Sequence, residues 1–205
     1  MKSLQNKKGI LLILAMILIA AFSRLIPHPS NFTAIGAMTL FGSAYNSKKY
    51  LAFLAPLVAM WLSDLAINNV IYAEYNNGFV WFQSFQLYTF LSIALIAILG
   101  FVLFKKVSAK NIAIGSLLAP TLFFIVSNFG SWMSPMALFP KTFDGLIQTY
   151  VAGIPFYRNN IMGTIVFSTV MFGVYYLLTQ KFPKLSLKDN KTVVLTDESQ
   201  ILILN

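Results

Sequence analysis

An all-α integral membrane bundle of six transmembrane helices, with both termini cytoplasmic, is the fold this sequence predicts. Three observations carry it. Of 205 residues, 58% are hydrophobic and only 10% charged, and the mean hydropathy is +0.73. The apolar residues gather in six blocks, near 10–27, 33–46, 50–73, 86–104, 111–132 and 158–180. Most of these blocks approach the ~20 residues that cross a hydrocarbon core. The connections between them alternate in charge. Lys2, Lys7 and Lys8, then Lys48 and Lys49, then Lys105, Lys106 and Lys110, then Lys181, Lys184, Lys188 and Lys191 occupy every second one. The intervening connections hold only Arg24, Lys141 and Arg158. Basic connections stay cytoplasmic during insertion, which places both termini inside and the protein in the cell (inner) membrane.

The first block follows Lys7 and Lys8 and ends near Ala21 and Ser23, a pattern shared with signal peptides. An uncleaved first helix is expected, because any first span with a cytoplasmic N-terminus looks like this. The second block is short and rich in Ala34, Gly36, Ala37, Gly42, Ser43 and Ala44, which permit close packing against a neighbour. Pro56 and Pro120 fall inside the third and fifth blocks, where kinks are tolerated if neighbours satisfy the freed carbonyls. The first external connection, Arg24 to Thr33, is stiffened by Pro27 and Pro29 around His28. The third, about 133–157, is the longest. Phe143, Leu146, Ile147, Tyr150 and Val151 are spaced there as a short amphipathic helix after a Thr142 N-cap. Residues 1–180 thus form one six-helix transmembrane domain, and 181–205 a cytoplasmic basic tail whose apolar end, Ile201 to Leu204, has no assigned role.

The net charge of +9 is a topology signal, and no basic–aromatic pattern of a nucleic-acid binder accompanies it. There is no cysteine and one histidine, which excludes disulfides, thiol catalysis and a histidine-rich metal site. The sequence contains no GxxxxGK[ST], HExxH or GxSxG. No cofactor is expected, and a solute moved by this chain would draw its energy from a partner.

Polar groups inside hydrocarbon are costly, so their depth is informative. Asp64 lies 14 residues beyond Tyr50, about 21 Å along its helix. Asn68 is one turn further on, with Asn69 beside it. Asn128 lies 17 residues beyond Asn111, about 25 Å up its span. Arg24 ends the first span, and Arg158, Asn159 and Asn160 open the sixth. These groups converge on the outer third of the bundle. Two readings stay open: Asp64 pairs with Arg24 and the asparagines join helices, or the set lines an outward-facing pocket. Tyr72, Tyr75, Phe79, Trp81, Phe82, Phe85, Trp132, Tyr150, Phe156 and Tyr157 lie at the same level, as an aromatic belt or as stacking partners for a flat ligand. His28 reads as a structural hydrogen-bonder or a ligand contact.

The stretch Arg24-Leu-Ile-Pro-His-Pro-Ser-Asn-Phe-Thr, continued by Ala34-Ile-Gly-Ala-Met-Thr-Leu-Phe-Gly-Ser-Ala, resembles the opening of an uncharacterised bacterial family of predicted transport membrane proteins. Ala55-Pro-Leu-Val-Ala-Met-Trp-Leu-Ser-Asp64 and Ser127-Asn-Phe-Gly-Ser-Trp132 resemble its later segments. That family is similar in turn to the S components of energy-coupling factor (ECF) transporters. Those six-helix proteins capture vitamins or metal ions outside and rely on a transmembrane T component and two ABC-type ATPases. The resemblance implies a lid in the first external loop and a substrate pocket in the polar outer third. S components often dock their T component through an Ala-xxx-Ala spacing in the first helix. Here Ala15, Ala20 and Ala21 lack that spacing, whereas Ala55 and Ala59 in the third span show it.

The expectation is therefore a non-enzymatic, substrate-binding membrane subunit for uptake of a vitamin-like solute. Arg24, His28, Asn31, Asp64, Asn68 and Asn128 are its polar contacts, and Trp132 is a stacking or wall residue. Its rival is a structural or assembly subunit of a larger membrane complex, which would have a filled core. A membrane enzyme using His28 and Asp64 comes third.

Overall fold

The computed structural model describes residues 2–46, 48–83, 86–135 and 137–187, with side chains from residue 7 onward. Lys2, Phe85, Lys188, Lys191 and the apolar stretch Ile201 to Leu204 have side chains outside the described set. The described residues are mostly helical, with no strand among them. The helices are α1 (Lys2–Phe22), α2 (Ile35–Tyr45), α3 (Lys49–Ala66), α4 (Gln86–Leu103), α5 (Ala109–Met133) and α6 (Phe143–Lys181). Among the described residues five segments are long and apolar enough to cross a membrane: Lys7–Leu25, Lys49–Ile71, Gln86–Leu103, Ala109–Met133 and Phe143–Lys181. The chain thus has the helical make-up of a multi-pass membrane protein.

α2 is the exception. It has 11 residues, about 16 Å of helix, roughly half of a ~30 Å hydrocarbon core. All of its residues are buried, as expected for a helix apolar on every side. Its hydroxyls are satisfied internally: Thr39 donates to the Ile35 carbonyl and Ser43 to the Thr39 carbonyl, both at 2.8 Å. Small residues bring the neighbours in close. A Cβ on Gly36 would fall 2.9 Å from Thr164 Oγ1 of α6, and one on Gly100 of α4 only 2.5 Å from Ser43 Cβ. At its C-terminal end Phe41 and Tyr45 pack edge-on and tilted against Phe172 and Tyr175. The second block is thus an internal pillar rather than a lipid-facing span.

Two boundaries differ from expectation. The short helix after Thr142 and the span from 158 are one 39-residue helix, α6. Thr142 does cap it, its hydroxyl accepting from the Gly145 N–H at 3.2 Å. The polar run Arg158-Asn159-Asn160 suggested a membrane interface, but these residues sit in mid-helix. Asn160 is buried there, and Asn159 donates to the Ser30 carbonyl at 2.9 Å. The tail also begins as packed structure. The turn Pro183–Leu185 brings Leu185 and Leu187 against Gly9 of α1, and the Leu187 N–H donates to the Tyr175 hydroxyl at 3.3 Å. Both ends of the described chain therefore meet at the same end of the bundle.

Candidate binding cavity

The shortness of α2 creates the cavity. Its first turn packs beside Ala119 and Thr164, yet α5 runs on to Met133 and α6 comes in from Phe143. Those stretches extend on the order of 20–30 Å past the pillar. With no helix between them, they enclose a space of about 690 Å³, floored by Thr33 and Ile35 and walled by the ends of α1, α3 and α4. Phe123, Phe124, Phe156 and Tyr157 supply apolar faces, while asparagines, hydroxyls and the Arg24–Asp64 pair supply polar ones. This is the size and texture of a small-molecule site.

The ion pair is built at the rim of α1 and α3. Arg24 Nη1 lies 2.6 Å from Asp64 Oδ1 and also donates to Ser63 Oγ at 2.8 Å. The other carboxylate oxygen accepts from Gln86 Nε2 at 2.6 Å. The side chains of Arg24 and Asp64 are 16% and 10% exposed. A carboxylate at this depth needs such partners, because uncompensated burial would cost several kcal/mol. Asp64 is thus internally satisfied, and Arg24 and Asp64 cancel in charge.

Beyond Asp64, α3 opens into one turn of π-helix, Ile67–Ile71, closed by the Tyr72 N–H donating to the Ile67 carbonyl at 2.9 Å. Such a turn inserts a residue and shifts the face that follows, a device frequent at functional sites. Here it places Asn68 in the cavity lining and turns Asn69 to the next loop. Asn69 accepts from the Val80 N–H at 2.7 Å and donates to the Val80 carbonyl at 2.9 Å. Asn76 donates back to the Asn68 carbonyl at 2.9 Å. The loop carrying Tyr72, Tyr75, Asn76 and Gln83 is folded over the cavity by these contacts, and all four residues line it.

Of the residues singled out in the sequence, Arg24, Asn31, Asp64, Asn68 and Asn128 come together around the cavity. Asn128 donates to the Phe124 carbonyl at 2.8 Å and presents its Oδ1 toward Gly153, where a Cβ would fall 2.4 Å away. Asn31 adopts φ 63°, and its carbonyl accepts from the Thr33 N–H at 3.0 Å. His28 and Trp132 do not join the lining. His28 is exposed, with Nδ1 2.8 Å from the Pro29 carbonyl oxygen. Trp132 donates its indole N–H to the Pro140 carbonyl at 2.9 Å, and Lys141 lies over its ring at 5.7 Å while bonding the Trp132 and Ser134 carbonyls. Trp132 closes the α5–α6 connection.

The chain matches, over residues 4–185, the description "Family of unknown function (DUF6580)". It belongs to that family. The match takes in the described helices, all but the first two residues of α1, and the whole cavity of this family member. No curated protein and no solved structure matches the chain.

Gln86 and Thr89 belong to the site of this DUF6580 member without being singled out by the sequence: Thr89 lines the cavity and Gln86 backs Asp64. Gln86 opens α4 at the depth of Asp64 and is 1% exposed; a polar residue at the outer end of a span was its signal. Thr89 lies one turn further in. Asn160 of the converging polar set and Tyr157 of the aromatic set also line the cavity, and the Tyr157 and Thr121 hydroxyls meet at 2.8 Å. Tyr72, Tyr75 and Phe156 of the aromatic set line the cavity. Phe79 and Trp81 instead pair with each other at 4.6 Å, and the Trp81 carbonyl accepts from Trp61 at 3.0 Å.

Proposed function

We propose that this protein is a substrate-binding membrane subunit that captures a small polar solute from outside the cell and serves its uptake. The observation that carries this reading is the cavity of about 690 Å³ at one end of a membrane-type bundle, walled by aromatics and set with amides. An assembly subunit would have filled that space, so room for a vitamin-sized molecule argues for capture. Catalysis by His28 and Asp64 has little to support it, since His28 lies in an exposed loop and both Asp64 oxygens are engaged.

In this reading α2 counts as the second of six crossings and both termini are cytoplasmic. The meeting of Gly9 with Leu185 and Leu187 at the end opposite the cavity supports it, as does the lysine alternation. The likeness to ECF S components then suggests a T component and ATPases as the source of energy. Native mass spectrometry of the protein gently solubilised from its own membranes tests the proposal. A retained small molecule, or a complex with a T-like protein and ATPases, is expected. An empty protein held in an unrelated membrane assembly would move it to the structural class.

A further inference from the structure

Thr33 and Ile35, at the N-terminus of α2, floor the cavity, and the chemistry of this helix end selects one kind of ligand group. The first four N–H groups of a helix lack partners within it. In α2 these belong to Ala34, Ile35, Gly36 and Ala37, since the first helical bond is from the Met38 N–H to the Ala34 carbonyl at 2.8 Å. All four residues are buried, and Ala34 offers no side-chain cap. Among the described residues none of these N–H groups makes a hydrogen bond. A buried helix end left this way calls for a partner from elsewhere.

The second observation is independent of the helix. Asn160 is 4% exposed and lines the cavity. Its Oδ1 accepts from Thr164 at 3.3 Å, while its Nδ2 has no partner among the described residues. Thr164 is the residue that packs on Gly36, so Asn160 stands one helical turn beyond the first turn of α2. The hydroxyls of Thr33 and Thr89, 9% and 7% exposed, line the same space and are likewise unbonded among the described residues. From the cavity wall Arg24 adds donors: only its Nη1 is engaged among the described residues, leaving Nε and Nη2.

Building on the capture reading above, we infer that this floor binds a single carboxylate, and that the solute taken by the cavity is a monocarboxylic acid with an aromatic or otherwise flat body. Donors outnumber acceptors at the floor, and the helix end adds about half a positive charge. Both favour an anion. A cation finds no free carboxylate, because Asp64 is held by Arg24 and Gln86. A dianion such as a phosphate monoester is disfavoured too. Among the described residues Arg24 is the one basic residue in the lining and Asp64 already neutralises it, so a second buried charge would stay uncompensated. The aromatic wall of Phe123, Phe124, Phe156 and Tyr157 meets the ligand body.

The test uses the full chain purified in detergent and carboxylate-free buffer. Thermal stability is titrated with aryl and heteroaryl monocarboxylates from benzoate upward, each paired with its primary amide and its methylamine analogue. At least one acid is expected to raise the Tm saturably, with its amide and amine about tenfold weaker or inert, as for loss of a charge-assisted hydrogen bond. Asn160→Asp should abolish the acid response, whereas His28→Ala, outside the cavity, should retain it. Equal responses to acid and amide, a preference for the amine, or no saturable response to any acid would overturn the inference. The wild-type comparison decides it even if Asn160→Asp fails to fold. A retained solute in the native mass spectrum that carries no acid group would overturn this inference and leave capture intact. An empty protein indifferent to all three series would remove both.

Discussion

Arg24 and Asp64, 40 positions apart in the chain, meet at 2.6 Å and tie the end of α1 to the end of α3. Gln86 locks the same carboxylate from α4. Three helices are thereby joined by one acidic side chain at the cavity wall. Removing it leaves a partly buried guanidinium without its partner. Asp64→Ala is expected to lower stability by about 3 kcal/mol, and Asp64→Asn by less, since the amide keeps an acceptor for Arg24. Thermal unfolding in detergent measures both. A loss under about 0.5 kcal/mol for Asp64→Ala would show that the pair behaves as a solvent-screened surface bridge.

Gly153 is where α6 lets Asn128 into the cavity. A Cβ there would fall 2.4 Å from Asn128 Oδ1. Gly153→Ala should therefore displace the amide and, on the proposed capture function, weaken retention of a bound solute, while the helix gains up to ~1 kcal/mol from its better residue. The predicted signature is reduced ligand occupancy in native mass spectra with unchanged or raised Tm. Full occupancy in this variant and in Asn128→Ala would take Asn128 out of the site.

Asn69 holds the loop over the cavity through reciprocal hydrogen bonds with Val80. Asn69→Ala removes both, along with the bond to the Leu65 carbonyl. It should cost about 2 kcal/mol of local stability and make residues near Gly78 cleavable by protease while the helices stay intact. Limited proteolysis followed by mass mapping reports this. Protection equal to wild type would mean that the loop is held by other contacts.

The absence of cysteine allows single-cysteine topology mapping without background. Cysteine at Lys49 or Lys184 is expected to be shielded from an impermeant maleimide added to whole cells, and cysteine at Asn77 or Pro135 to be labelled. The reverse pattern would invert the protein in the membrane and turn the cavity toward the cytoplasm.

Helical class and the gathering of Arg24, Asp64, Asn68 and Asn128 at one end of the helices were legible because the bilayer imposes length and hydropathy on local sequence. Trp132 and His28 were misplaced for a common reason: their roles depend on the Pro140 carbonyl and on the conformation of the loop at Pro29, which no spacing rule encodes. Asn160 stood among the converging polar residues, but its spacing alone could not tell it from Arg158 and Asn159, because only the continuous helix α6 decides which of the three faces the cavity.

By itself the sequence determined that this chain forms apolar helices of membrane length, with its polar groups gathered toward one end of them. Only the tertiary structure decided that α2 stops halfway as a buried pillar, that α5 and α6 continue past it, and that Gln86 satisfies Asp64. Hydropathy is a property of each segment taken alone, whereas a cavity is the volume that packed neighbours leave unfilled. That volume is set by where one short helix ends relative to two long ones.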